Sequence, residues 1–229
     1  MDNFVLFSSE HLIILGSGIL ISFILLLLAN FMDIKGFARF TAVLVFIVKI
    51  TELAYRHYVM GEKIINLLPL HLCNIVLFFV IIMMITTSKI FFQPCYFWSI
   101  GALFALITPD VKYGITNYAT ISFFITHFYI IFSVIYCYVF FRYRPSFLEY
   151  CLSFLGLNVI CLIVYFINKE LGTNYLFVNR VPDFTSPISY FGEWPYYIVV
   201  VELIYIIICY LMYFPFKAKS VRYGKENFY

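Results

Sequence analysis

The sequence predicts an all-α membrane protein, a polytopic bundle of about seven transmembrane helices forming a single domain over 1–229. Three observations carry this. Hydrophobic residues make up 64% of the chain and charged residues only 12%, about half the roughly 25% charge of a soluble domain. Uncharged stretches recur at lengths close to the roughly 20 residues that a helix needs to cross a bilayer. The cations sit at the ends of these stretches rather than on a face interleaved with aromatics, which argues against a nucleic-acid partner.

The first expected span, 11–32, has no charge from Leu12 to Met32. Asp2 and Glu10 precede it without any Lys or Arg, so it lacks the basic start of a secretory signal and is expected to be retained. The second, 38–60, is the least apolar, with Lys49, Glu52, Arg56 and His57. Each charge at mid-span costs roughly 2.5–3.5 kcal/mol, so this helix should turn its polar side away from lipid. The third, 66–87, opens on the polar interruption Leu68-Pro69-Leu70-His71-Leu72-Cys73-Asn74. Spans 90–109, 115–141 and 147–168 hold long uncharged stretches, and span 194–216 carries Glu202.

Orientation follows from Lys and Arg in the loops. Loops 30–39, 87–90 and 142–149 with the C-terminal tail hold nine of them, against four on the other side, or five with Arg56. This places the N-terminus outside and the C-terminus in the cytoplasm of a multi-pass cell-membrane protein. The basic tail is a topology determinant or a contact for anionic lipid. Of the six cysteines, none forms a CxxC, and all but Cys73 read as small apolar residues in or at the ends of spans.

Ionisable groups inside a membrane are functional candidates by default. At about 1.5 Å per residue, Glu52 lies roughly 9 Å and Lys49 roughly 13 Å below the outer end of span 2. On the same scale Cys73 lies roughly 10 Å, Glu202 roughly 12 Å and His127 roughly 16 Å into their spans. All fall in the outer half or near the midplane, whereas the inner halves read as aromatic and aliphatic. Lys49, Glu52 and Arg56 share one helical stripe, as do Asn117, Thr120, Phe124 and His127. The first stripe reads either as one wall of a cavity or as a buried ion-pair network joining spans. His71 and Cys73 are about 200° apart on an ideal helix. Either the Pro69 region departs from helix or only one of the two faces the cavity.

Cys73 and His127 are the pair able to support covalent chemistry, because a thiol reacts as thiolate and needs a base. His71 reads equally as a cap or a packed imidazole. A metal site drawn from His57, His71 and His127 is the competing chemistry, but no HExxH or His-rich box is present. No cofactor or metal is expected.

The run Leu67-Leu68-Pro69-Leu70-His71-Leu72-Cys73 resembles the signature of the YwaF family of bacterial integral membrane proteins. Further matches are Gly101-Ala102-Leu103, Ala105 to Asp110, Ile125-Thr126-His127, Gly172 to Tyr175 and Gly192 to Tyr197. The animal relative of that family is transmembrane protein 164, described as a cysteine-dependent phospholipid acyltransferase. More distant are the androgen-induced hydrolases of fatty-acid esters, which use a Thr and a His on a similar framework. The resemblance implies that Cys73 accepts the acyl group and His127 is its partner, with a phospholipid or lysophospholipid as substrate. Phe128 stands where many relatives are expected to have Gly, which would narrow the space beside the imidazole.

On this reading Cys73 attacks an acyl ester, His127 takes the thiol proton, and Asn74 with the backbone donors after Pro69 receives the oxyanion. Glu52, Lys49 or Asn117 orients the imidazole or the head group, and Arg56, His71 and Glu202 support the same level. Two other classes stay open. The stripe of span 2 with Glu202 and His127 fits a transporter or channel for a polar solute or proton. A membrane assembly or structural protein would need only the buried network. Loop 169–193 is expected above the site, with Asn174, Asn179, Arg180 and Asp183 near head groups and Tyr190, Trp194, Tyr196 and Tyr197 in an aromatic belt.

Overall fold

Hydrocarbon offers no partner to a free backbone N–H or carbonyl, so a chain this apolar has to satisfy them locally, and the helix does so. The computed structural model describes residues 3–183 and 187–226. It contains seven α-helices: α1 (Ser9–Ala29), α2 (Ile34–Tyr58), α3 (Leu72–Thr86), α4 (Lys89–Ile107), α5 (Tyr118–Phe140), α6 (Phe147–Leu171) and α7 (Tyr196–Glu226). The described residues contain no strand, and an isolated bridge pairs Asn3 with Tyr113.

Polar caps mark the helix starts. Ser8 accepts from the His11 N–H, Asp33 from Lys35 and Gly36, and Asn117 from Ala119. Ser146 and Glu149 close a reciprocal capping box on α6. That helix ends at Gly172, whose φ of +67° is the left-handed conformation a glycine adopts without penalty.

The largest departure from expectation is at span 3. Helix α3 begins at Leu72, and the chain before it is a 3-10 turn (Ile64–Asn66) followed by irregular backbone. Pro69 is the cause, since it lacks an N–H and pushes Leu68 out of the helical region. Leu70 donates back to the Leu68 carbonyl at 2.8 Å instead. The 15 residues of α3 span only roughly 22 Å. Among the described residues, five helices are long and apolar enough to cross a membrane: α1, α4, α5, α6 and α7 over Tyr196–Lys217. Helix α3 is too short to qualify and α2 too charged.

The contacts group into two compact units, Met1–Tyr143 and Arg144–Tyr229. In the first, α5 is the central helix, packed against α1, α2, α3 and α4. The register of α2 on α5 is fixed by two hydroxyl pairs, Thr51 with Tyr118 at 2.6 Å and Thr41 with Tyr129 at 3.4 Å. Gly18 of α1 seats the Phe128 ring so closely that a Cβ there would lie 2.2 Å from it. Phe128 therefore points toward α1 and does not narrow the space beside His127, contrary to the expectation from sequence.

His11 went unnoticed in the sequence and is fully buried. Phe7 N–H donates to its Nδ1 at 3.1 Å, so Nε2 carries the proton and donates to the Leu106 carbonyl at 3.0 Å. The N-terminal segment is tied further by Phe4 N–H to the Lys112 carbonyl and by Ile115 N–H to Glu10. The half of the first unit away from Cys73 is also less apolar than expected. It buries Thr41, Gln93, Tyr129 and Ser133, all neutral.

In the second unit, buried Asn168 organises the loop that follows α6. Its amide donates to the Tyr175 carbonyl and to Asn179, and its Oδ1 accepts from Thr173 and the Tyr175 N–H. Asn174 is bonded to Arg180 backbone atoms and Asn179 to the Tyr165 carbonyl. Two of the four side chains expected to meet head groups, Asn174 and Asn179, are thus internal braces, whereas Arg180 and Asp183 are exposed and paired with each other at 3.4 Å. Tyr197 is buried, donating to the Phe177 carbonyl, whereas Tyr190 and Tyr196 are exposed as a belt requires.

Two consequences can be measured in detergent. Gly18→Leu forces Phe128 out of its seat and costs about 1–3 kcal/mol, read as a lower Tm, most of which returns when Phe128→Ala is added. Asn168→Ala leaves several loop groups unpaired, at about 1–3 kcal/mol each. Hydrogen exchange should accelerate across 173–181 while α2 to α5 stay protected.

Candidate functional site

The charged stripe of α2 is the electrostatic centre of the first unit. Lys49 and Glu52 are 6% and 4% exposed, too dry to be held by water. Lys49 Nζ donates to Glu52 Oε2 at 2.7 Å, and Arg56 donates to Glu52 Oε1 at 3.2 Å. Arg56 also forks onto Glu62, at 2.9 Å from Nε and 2.7 Å from the terminal nitrogen. Two cations thus face two carboxylates. The network runs along α2 into its following loop and does not bridge two spans. Glu62 was not expected in it, since a partner supplied by a reversing loop follows no helical period. His57 Nδ1 lies 2.9 Å from the Glu62 carbonyl and completes the outer end.

Two registers bring other residues to this level. The Thr51–Tyr118 and Thr41–Tyr129 pairs set α2 and α5 antiparallel, with Lys49 a turn or two nearer the start of α5 than His127. Helical side chains lean toward their own N-terminus, so the Lys49 and His127 side chains lean toward each other's level. On the other side, Leu53, Ala54 and His57 share an open apolar groove with Leu67, Leu68 and Pro69. Four residues before Leu53 is Lys49, and four residues after Pro69 is Cys73. Lys49, the entry to α3 and His127 thus lie in one region of the first unit.

Cys73 is the second residue of α3 and partly buried. Because the helix starts only at Leu72, the N–H groups of Leu72 and Cys73 have no carbonyl in a preceding turn. Asn74 differs, since its N–H already donates to the His71 carbonyl at 3.0 Å. Of the donors expected after Pro69, the Asn74 backbone is therefore engaged. His71 is the N-cap of α3 and its backbone is extended, which removes the 200° conflict with Cys73. Its imidazole makes no capping bond, so the capping role falls away. Gly101 lets α4 approach this helix start, with Leu72 Cδ2 3.4 Å from where its Cβ would stand.

His127 lies on the buried stripe of α5 with Asn117, Thr120 and Phe124, all under 9% exposed. Its ring stacks on Phe123 at 4.0 Å between centroids, and its Nδ1 lies 2.6 Å from the Phe123 carbonyl. A carbonyl only accepts, so Nδ1 carries the proton and Nε2 keeps its lone pair in the neutral ring. Asn117 Oδ1 is held by the Ala119 N–H as the cap of α5, and Thr120 donates to the Tyr113 carbonyl. Asn117 thus positions the helix that carries the imidazole. No hydrogen bond joins Cys73 to His127 among the described residues. Glu202 lies on α7 in the second unit and is half-buried. No cluster of three or more His, Cys, Asp or Glu fit to hold a metal occurs among the described residues.

Breaking this network from one side should be costly. Glu52→Leu leaves the Lys49 ammonium buried without a counter-charge, a loss of roughly 3–5 kcal/mol. Thermal unfolding in detergent should show that drop, and the double change Lys49→Met with Glu52→Leu should restore most of it.

A family model described as the TMEM164 family matches residues 6–213. An uncharacterized protein of Treponema pallidum (strain Nichols) is 28% identical over 183 residues, covering 78% of this chain and 76% of that protein. No solved structure matches the chain.

Proposed function

This chain belongs to the TMEM164 family, and on that premise we propose that it is a multi-pass membrane enzyme that moves or hydrolyses lipid acyl groups through Cys73 and His127. The observation that carries the proposal is the tautomer of His127. With Nδ1–H given to the Phe123 carbonyl at 2.6 Å, Nε2 is the nitrogen left to accept a proton, as a general base requires. A thiol at the first turn of a helix complements it, because the partial positive charge there favours an anionic sulfur.

The chemistry balances in two halves. Cys73 gives its proton to His127 Nε2 and its sulfur attacks the carbonyl carbon of an acyl ester. The tetrahedral adduct collapses, the ester C–O bond breaks, and the lysolipid alkoxide takes the proton back from the imidazolium. A second lysolipid, or water, then loses its proton to Nε2 and attacks the thioester, releasing the sulfur for reprotonation. The apolar groove beside Pro69 gives a lipid a lateral approach from the bilayer. The excess of Lys and Arg in one set of loops supports an outward N-terminus, with all seven helices crossing the cell membrane and the site in the outer half. The LPLHLC run supports placing the chain with the bacterial YwaF-type members.

The test uses purified protein with a defined phospholipid donor and lysophospholipid acceptor. Cys73→Ala should abolish transfer and the acyl adduct that mass spectrometry finds on the Cys73 peptide. His127→Gln should slow transfer by about 10²–10⁴-fold. Full transfer by Cys73→Ala would refute the proposal.

A further inference from the structure

A reaction of this kind develops negative charge on the acyl oxygen, and something in a nearly dry site has to receive it. The Asn74 N–H is unsuited, being bonded to the His71 carbonyl. The N–H groups of Leu72 and Cys73 are neutral donors with no formal charge. Lys49 is different. Its ammonium has three N–H donors, and its one acceptor among the described residues is Glu52 Oε2 at 2.7 Å. The side chain is 7% exposed, so bulk solvent is largely kept from its other two N–H groups. The α2 turn that follows Lys49 lines the groove shared with the chain leading into Cys73, and the α2–α5 register brings Lys49 toward the level of His127.

The counter-charge is already arranged. Both Glu52 oxygens are covered, one by Lys49 and one by Arg56, while Glu62 holds the rest of the Arg56 guanidinium. Two cations and two carboxylates leave the cluster neutral before reaction. One added negative charge beside Lys49 meets a cation and no uncovered carboxylate.

We propose that Lys49 is the catalytic electrophile of the site, donating a hydrogen bond to the carbonyl oxygen as Cys73 adds to the acyl carbon. The inference rests on the covalent reading given above. As the S–C bond forms, the carbonyl π pair moves onto oxygen and Lys49 Nζ–H holds it. Lys49 keeps its proton throughout, and the pair returns when the C–O bond to the lysolipid breaks. Glu52 is a positioning residue, fixing the ammonium and aiming its two remaining N–H bonds away from α2.

The experiment compares two reactions of the same sulfur in the full-length protein in lipid nanodiscs. The first is acylation of Cys73 by phosphatidylethanolamine, read as the thioester on its peptide. The second is alkylation of Cys73 by iodoacetamide, which displaces iodide at a saturated carbon and forms no oxyanion. Lys49→Met should slow acylation by about 10²–10³-fold, as loss of an oxyanion donor does, with alkylation changed by less than about tenfold. Lys49→Arg should recover part of the acylation. The double variant Lys49→Met with Glu52→Leu, which leaves no unpaired buried charge, should show the same selective loss and guards against a folding defect. Equal losses in both reactions would overturn the proposal, since Lys49 would then serve the thiolate or the packing. So would acylation at the wild-type rate in Lys49→Met. Full transfer by Cys73→Ala is a different failure and would remove the covalent reading itself.

Discussion

Polar groups below the membrane surface have to find partners within the protein, and in this chain that constraint falls hardest on α2. Lys49 and Glu52 are nearly dry, and exposing them to lipid would cost several kcal/mol. The helix therefore turns that stripe inward and leaves Phe40, Val43, Leu44, Ile47 and Ile50 exposed on its other side. Its packing on α3 and α5 follows. Pairing within one helix costs less chain entropy than pairing across spans, because the i, i+3 and i, i+4 spacings are already set by the helix.

The helices were legible in the sequence because their signals are local. Charge-free length, capping residues and Gly172 locate most ends within a few residues. The stripe Lys49, Glu52, Arg56 and the stripe from Asn117 to His127 were legible for the same reason, since each follows the helical period. Span 3 misled because hydropathy counts apolar residues and ignores what Pro69 does to the backbone, so the expected helix began six residues before Leu72. Other features depend on residues remote in sequence. Phe128 turns toward Gly18, Glu62 folds back onto Arg56, and Asn168 gathers a loop that read as polar and open. No period or motif marks such pairs in a single sequence.

The fate of the individual polar residues separates two kinds of work. Asn117, Thr120, Asn168, Asn174, Asn179 and His11 all hold backbone groups. They answer the demand that buried N–H and carbonyl groups be paired. Another set has hydrogen-bonding capacity beyond the partners it holds among the described residues: Lys49, the helix-start N–H groups of Leu72 and Cys73, and Nε2 of His127. Surplus capacity in a dry interior is disfavoured unless a ligand or reacting group uses it.

The placement of Cys73 relative to Pro69 gives that surplus a structural origin. In the interior of a helix each N–H is bonded to the carbonyl four residues earlier, and a nucleophile there has no backbone donor to offer. Only a helix start provides one, and a membrane helix ordinarily starts at the surface, in water. Pro69 delays the start of α3 to Leu72, just past the groove that Leu67 to Pro69 share with α2. The chain before it remains irregular, which the bilayer permits only where protein covers it or a cavity lies beside it. The groove between α2 and Leu67 to Pro69 is that cavity. One proline thus yields a sulfur at a helix start, unfilled donors and an apolar approach together, whereas a straight third span would have provided none of them.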